Sequence, residues 1–120
     1  MRRLAHGRGP GQSRELNFTP LGGAYNRVAA DATAFAHRAE RFLVEHVLVA
    51  APEVPPAGRQ WVRESWATVH PWGSGRVYPN FPDPELAGWA EAYHGDNYER
   101  MARVKRAYDP DNAFRFDQSL

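Results

Sequence analysis

The sequence predicts an α+β fold, a small antiparallel sheet with helices packed on one face. Three observations carry this. Phe42, Leu43 and Val44, followed by the apolar run Val47-Leu48-Val49, are strand formers. The second half alternates helical spacing with caps and proline stops. No repeat or heptad pattern suggests an all-helical arrangement.

Each element follows in order. Residues 1–15, MRRLAHGRGPGQSRE, are rich in Arg and Gly and carry almost no apolar pattern, so they read as a disordered basic arm. Structure is expected to begin at Leu16, where Leu16, Phe18 and Leu21 form a short extended run near Pro20. Gly22-Gly23 breaks it. A second extended segment lies between Thr33 and Val49, with its strand from Phe42. A helix through Ala34 to His46 competes with it, because Ala, Glu and Arg favour helices, but the β-formers favour the strand. The stretch APEVPPAG, 51–58, is a proline-rich connector.

A helix is predicted from Gly58 to His70, with Trp61, Ser65, Trp66 and Val69 along one face and Pro71 as its stop. Arg76 to Phe81 reads as a strand. Asp83-Pro84 is an N-cap followed by proline at the first helical position, so a helix is predicted from Pro84 to Tyr93, closed by Gly95 in a left-handed C-cap. Asp96 and Glu99 resemble a capping box at the head of a helix from Asn97 to Tyr108, which Asp109-Pro110 ends. Phe114 and Phe116 imply that the tail packs.

Composition narrows the function. A hydrophobic share of 42% with 12% aromatics suits a folded domain. A net charge of +1 gives no electrostatic case for a nucleic acid or a membrane surface as partner. The absence of cysteine excludes disulfides, zinc–thiolate sites and cysteine nucleophiles. No apolar run is long enough to span a bilayer, and no apolar core follows the basic start, so a signal peptide is not indicated and the cytoplasm is the default location. The sequon Asn17-Phe18-Thr19 reads as a chance occurrence.

No self-contained catalytic constellation emerges from the residues. His6, His37, His46, His70 and His94 show no metal-ligand spacing, and surface or packing roles suit them better. Ser65 and Ser119 lack a nucleophile elbow. Gly7, Gly9 and Gly11 alternate without a strand before them or a helix after them. Trp61, Trp66, Trp72 and Trp89 offer a stacking platform for a flat ligand, but core packing explains them better. Asp83, Asp109 and Asp111 sit beside prolines or turns, where capping explains them better than acid–base chemistry.

The last third carries a resemblance. Tyr78-Pro79-Asn80-Phe81 is followed by Tyr93-His94-Gly95-Asp96-Asn97, by Arg100-Met101 with Lys105, by Asp109-Pro110-Asp111-Asn112-Ala113-Phe114, and by Gln118-Ser119-Leu120. In order and spacing these resemble the C-terminal segment of berberine bridge enzyme-like, FAD-linked oxidoreductases of the vanillyl-alcohol oxidase type. Upstream, Gly22-Gly23-Ala24 with Arg27-Val28, and Ala32 to Arg38, look like the end of that family's substrate domain. The resemblance divides the chain into the arm 1–15, the end of the substrate-domain sheet with its helix at 16–76, and the berberine-bridge-like segment at 77–120.

The resemblance implies a flavoprotein oxidase that moves hydride from a small organic alcohol, sugar or natural product to FAD, with the cofactor held mainly by a domain outside this stretch. It implies that Tyr78 lines the flavin or the substrate and that Asn80 hydrogen-bonds near the cofactor. The alternative for Tyr78 is packing beneath a helix. Phe81 occupies the position where several members carry a tyrosine base, and a phenyl ring takes no proton. No catalytic residue is therefore assigned, and no metal ligand. The chain is expected to be inactive and free of FAD by itself. It is expected to pair with an FAD-binding subunit, or with itself, through Tyr78, Phe81, Phe114 and Phe116. The competing reading is a non-catalytic binding or assembly module derived from the same fold.

Overall fold

A computed structural model describes residues 11–52 and 57–120. Residues 1–10 of the expected arm and 53–56 of the proline-rich connector lie outside the described residues. The chain forms two compact units, one containing the stretch to Pro20 with Arg41–Ser74, the other Leu21–Glu40 with Gly75–Leu120.

In the first unit, strand β1 (Gln12–Pro20) pairs antiparallel with strand β2 (Phe42–Ala50), with Gln12 opposite Ala50 and Pro20 opposite Phe42. The segment 42–50 is thus a strand, and the competing helix from Ala34 does not form. Helix α1 (Ala57–Val69) lies against β2, which gives the expected α+β arrangement. Its Trp61 is the large buried apolar side chain of this unit. Pro71 follows the helix within a short 3₁₀ turn, His70–Trp72, as a residue without an N–H must.

β1 starts at Gln12, four residues before the expected Leu16, so residues 12–15 are strand rather than arm. The reason is a cation in a position where an apolar side chain is usual. Along β1, Gln12, Arg14 and Leu16 are half-buried and the intervening residues are exposed. The Arg14 guanidinium lies 5.4 Å from the centroid of the Trp61 ring, where the ring's negative face attracts it. Reading apolar alternation alone misses such a residue.

The second unit holds helices α2 (Trp89–His94) and α3 (Tyr98–Tyr108), joined by the 3₁₀ turn Gly95–Asn97. Ala92, Tyr93 and Ala102 are its buried apolar residues. Four expectations are corrected here. The strand from Arg76 to Phe81 does not form, because among the described residues no strand runs beside it. Instead the Val77 N–H donates to the Ala92 carbonyl at 2.9 Å, and the Phe81 N–H closes a turn on the Tyr78 carbonyl at 3.1 Å. Pro79 takes the second turn position, which its fixed φ suits.

The helix expected from Pro84 begins only at Trp89. Asp83 does cap, accepting from the Glu85 N–H at 2.9 Å, but it caps a single turn. Gly88, with φ of 68°, stands in the left-handed region before α2. The Asp96–Glu99 capping box does not form. Asn97 holds the cap position of α3 without a side-chain capping bond, because its own backbone is helical and the 3₁₀ turn Gly95–Asn97 runs directly into α3. Gly95 has the expected positive φ of 52°, but a ψ of −138° removes it from the left-handed helical region. Among the described residues no helix is long and apolar enough to cross a membrane.

Candidate functional site

Within the second unit, the turn 78–81 stands on a loop, 28–40, that side chains rather than secondary structure hold in place. Asn97 donates its amide to the carbonyls of Ala30 at 2.7 Å and Thr33 at 3.2 Å. Arg100 donates to the Asp31 carbonyl at 3.0 Å. The Asn26 amide donates to the carbonyls of Arg38 at 2.7 Å and Glu40 at 3.1 Å. The Tyr25 hydroxyl donates to the His37 carbonyl. Backbone carbonyls without ladder partners need such donors.

A cluster of rings connects this loop to the turn. Phe35 meets Tyr25 edge-on at 5.7 Å, His37 at 5.2 Å and Tyr78 at 6.0 Å between centroids. Tyr78 meets Phe81 at 5.3 Å. Arg38 lies over Tyr25 and Phe35, at 5.4 and 5.2 Å, while its donors reach the Phe35 carbonyl at 3.2 Å and Thr33 Oγ1 at 2.8 Å. Edge-to-face pairs and cation–π contacts each add on the order of 1 kcal/mol beyond area burial, so the rings fix one another's orientation.

The structure brings Tyr78 and Asn80 together. The Asn80 amide donates to the Tyr78 hydroxyl oxygen at 3.0 Å. Phe81 is 57% exposed beside them. The turn thus presents an exposed phenyl ring, a half-buried phenol and an amide, with no ionisable group at Phe81.

Below the turn, Tyr93 and Gln118 form a pin. The Tyr93 hydroxyl accepts from the Asp83 N–H at 2.7 Å and donates to Gln118 Oε1 at 3.2 Å. The Gln118 amide returns to the Asp83 carbonyl at 2.7 Å. Lys105 pairs with Asp109 and donates to the Phe114 carbonyl at 2.5 Å. The Asp109 carboxylate in turn accepts from the N–H groups of Ala113 at 2.7 Å and Phe114 at 3.0 Å. The hydrogen bond from Lys105 is the main reason the Asp109 carboxyl is held below its ordinary range, with the two backbone donors adding to it. Asp83 and Asp109 are therefore capping residues, as the sequence suggests.

His37 is buried, and neither ring nitrogen has a hydrogen-bond partner among the described residues. Burial is the first cause pushing its pKa down. The Arg76 charge adds to this, while the backbone of Val77 and Tyr93 and the Glu40 charge pull the other way without closing a hydrogen bond to the ring. His94 is held low by burial and by His37. Burial raises the Tyr25 phenol, with Arg38 opposing. Among the described residues no group of His, Asp or Glu is placed to hold a metal ion.

Two arrangements escape the sequence reading. One is the ring cluster of Tyr25, Phe35 and Arg38. Its signal lay in the rings of Phe35 and His37, two residues apart, which the turn closed by the Arg38 N–H on the Ala36 carbonyl brings together. The other, in the first unit, is His46 Nδ1 at 2.7 Å from Ser65 Oγ. Ser65 is wholly buried, so this pair ties β2 to α1. Of the four rings expected on an open face, Tyr78 is half-buried, while Phe81, Phe114 and Phe116 are exposed.

The berberine and berberine-like family pattern matches residues 77–120. The chain is 37% identical over 113 residues to the uncharacterized FAD-linked oxidoreductase YgaK of Bacillus subtilis, a match covering 92% of this chain and 25% of that protein. It is 31% identical over 124 residues to berberine bridge enzyme-like 12 of Arabidopsis thaliana, covering 88% and 23%. A shorter match, 50% over 40 residues, covers 33% of this chain and 7% of a VAO-type flavoprotein oxidase of Thermothelomyces thermophilus. The chain spans about a quarter of the length of the first two of these relatives. With its motif residues Tyr93, Asn97, Lys105, Asp109 and Gln118 acting as the pins of the second unit, the chain belongs to the berberine bridge enzyme-like, FAD-linked oxidoreductases, and residues 77–120 are its berberine and berberine-like segment.

Proposed function

We propose that this chain supplies the flavin-facing end of an FAD-dependent oxidoreductase acting on a small organic alcohol, sugar or natural product, and that it holds no FAD by itself. The observation that carries this is the turn 78–81, where Asn80 orients the Tyr78 phenol beside the exposed Phe81 ring. Flat apolar rings next to one amide suit the edge of a fused heteroaromatic ring. When bound, FAD supplies the two-electron acceptor. Tyr78 and Asn80 orient and shield, and Phe81 excludes water without exchanging a proton.

The helices of the second unit do not suit the rest of FAD. A pyrophosphate needs backbone donors or a helix N-terminus free of negative charge. The first turn of α2 carries Glu91 and that of α3 carries Glu99. An FAD-binding subunit or domain is therefore the proposed partner, meeting the exposed rings of Phe81, Phe114 and Phe116.

Two measurements test this reading. The full chain, purified alone, is expected to lack the visible absorption of flavin. Co-expressed with the B. subtilis relative trimmed of its aligned quarter, it is expected to yield a yellow complex that small alcohols or sugars bleach. Tyr78→Ala and Asn80→Ala should each lower flavin retention several-fold. Flavin on the isolated chain, or retention indifferent to both substitutions, overturns the proposal.

A further inference from the structure

His37 is a buried group that the proposed function does not use. It is 5% exposed, and both ring nitrogens are closed to solvent with no hydrogen-bond partner among the described residues. The chain itself encloses the ring, so any further domain can only bury it deeper. Either neutral tautomer of an imidazole carries one N–H, and a buried N–H without an acceptor is costly. A phenyl ring would fill the same space without that cost, so the polarity of the ring calls for an acceptor. Two backbone groups face it. Those of Val77 and Tyr93 favour the protonated ring, as nearby carbonyls do.

Val77 directly precedes Tyr78, and its N–H is fixed on the Ala92 carbonyl at 2.9 Å. The His37 ring also meets Phe35 edge-on at 5.2 Å, and Phe35 meets Tyr78 at 6.0 Å. The Tyr25 hydroxyl holds the His37 carbonyl. His37 thus approaches Tyr78 by two routes, the backbone at Val77 and the ring of Phe35. We propose that His37 is a positioning residue for Tyr78, donating its one N–H toward the Val77 carbonyl and so setting the angle at which the turn 78–81 presents the phenol. Its bearing on flavin rests on the function proposed above. The imidazole acts uncharged. Burial disfavours a second proton, Arg76 opposes it, and His94 of α2 is close enough for the two rings to repel each other when charged, while Glu40 of the same loop favours it. Acid that forces the proton on loosens the loop 28–40 from the turn.

NMR of the full chain with isotope-labelled histidine and tyrosine rings tests this. As pH falls, the Tyr78 ring signals should shift with the titration of His37 at one shared midpoint below 6.5. Tyr108, 86% exposed at the end of α3, should stay in place over that range. His37→Gln keeps a donor N–H but does not titrate, so it should hold Tyr78 near its original signal and abolish the acid shift. His37→Phe keeps a ring without a donor. It should displace Tyr78 at neutral pH and, in the yellow complex, lower flavin retention several-fold. Tyr78 signals indifferent to the titration of His37 and to His37→Phe overturn the proposal. Should His37→Phe not fold, the titration of the unaltered chain and His37→Gln decide. These signals are read in the chain alone. A Tyr78 that follows His37 where no yellow complex ever forms upholds the positioning role and sinks the reading of the turn as a flavin edge. A yellow complex in which Tyr78 ignores His37 does the reverse.

Discussion

The strand-and-helix unit and the motif-bearing unit are stabilised in different ways. In the first, a backbone ladder and the burial of Trp61 of α1 supply the order, and two side-chain contacts, His46 with Ser65 and Arg14 over Trp61, tie sheet to helix. In the second, short helices flank long irregular stretches, and side chains do the work a ladder does elsewhere. Asn97, Arg100, Tyr93, Gln118 and Lys105 each reach a backbone carbonyl or another pin. Regular structure is set by local propensity and area. Irregular structure depends on single polar atoms, so residues with one chemical option appear there as a family signature.

This contrast predicts unequal responses to substitution. Trp61→Ala should have the largest effect, about 3–5 kcal/mol, as expected for an aromatic removed from a packed site. Urea unfolding followed by circular dichroism measures it, and a cost below about 1 kcal/mol would show that the ladder holds the first unit without its core. Asn97→Ala removes both carbonyl contacts of its amide and should cost about 2 kcal/mol. Hydrogen exchange is expected to show 28–34 opening while 42–50 stays protected. Equal opening of both stretches would erase the distinction between the units.

Gly95→Ala should cost roughly 1–2 kcal/mol. Its φ of 52° strains a side chain, and an added Cβ would run into the Arg76 guanidinium, which donates to the Glu91 carbonyl and carboxylate at 2.8 Å. Gly95→Ala made together with Arg76→Ala should then cost less than the sum of the two.

Acidity gives a smaller effect. His37, His46 and His94 all titrate below the ordinary 6.5 because burial disfavours the imidazolium. The unfolded chain therefore takes up protons first as pH falls below 6.5, and stability declines from there toward the lowered values, with no histidine-linked change above. The urea midpoint should drop between pH 7 and pH 5, and His37→Gln should flatten that slope. Asp109, held below 3.8, adds a second loss only at more acidic pH. Trp72→Ala, at 89% exposure, should fall within about 0.5 kcal/mol.

The same contrast explains what could be read in advance. β2 and α1 followed from β-formers and from an apolar helical face, and each lies within a residue or two of its expected bounds. The start of β1 was hidden because Arg14 fills a half-buried position through its contact with Trp61. The strand expected at 76–81 failed because propensity cannot show whether a neighbouring strand exists. The long helix from Pro84 failed at Gly88, whose left-handed backbone outweighs the helix formers around it. Asp96 and Glu99 have capping spacing, but the 3₁₀ turn Gly95–Asn97 continues into α3 and takes Asp96 out of the cap position, which spacing cannot reveal. Tyr78 and Asn80 could be singled out from the motif, but not the hydrogen bond between them. The ring cluster beneath them required the loop 28–40, which only tertiary hydrogen bonds place.

The unequal burial of the tryptophans also makes the molecule its own optical instrument. Trp72 stands in solvent, Trp66 stacks on His70 at 4.1 Å, and Trp61 is enclosed, all in the first unit. Trp89, the second unit's indole, sits among Tyr93, His94 and Tyr98. Dissolved iodide should quench Trp72 emission readily and leave Trp61 almost untouched. A chain with the other three indoles replaced by phenylalanine would report the second unit alone, with light emitted from the first residue of the helix that bears Tyr93.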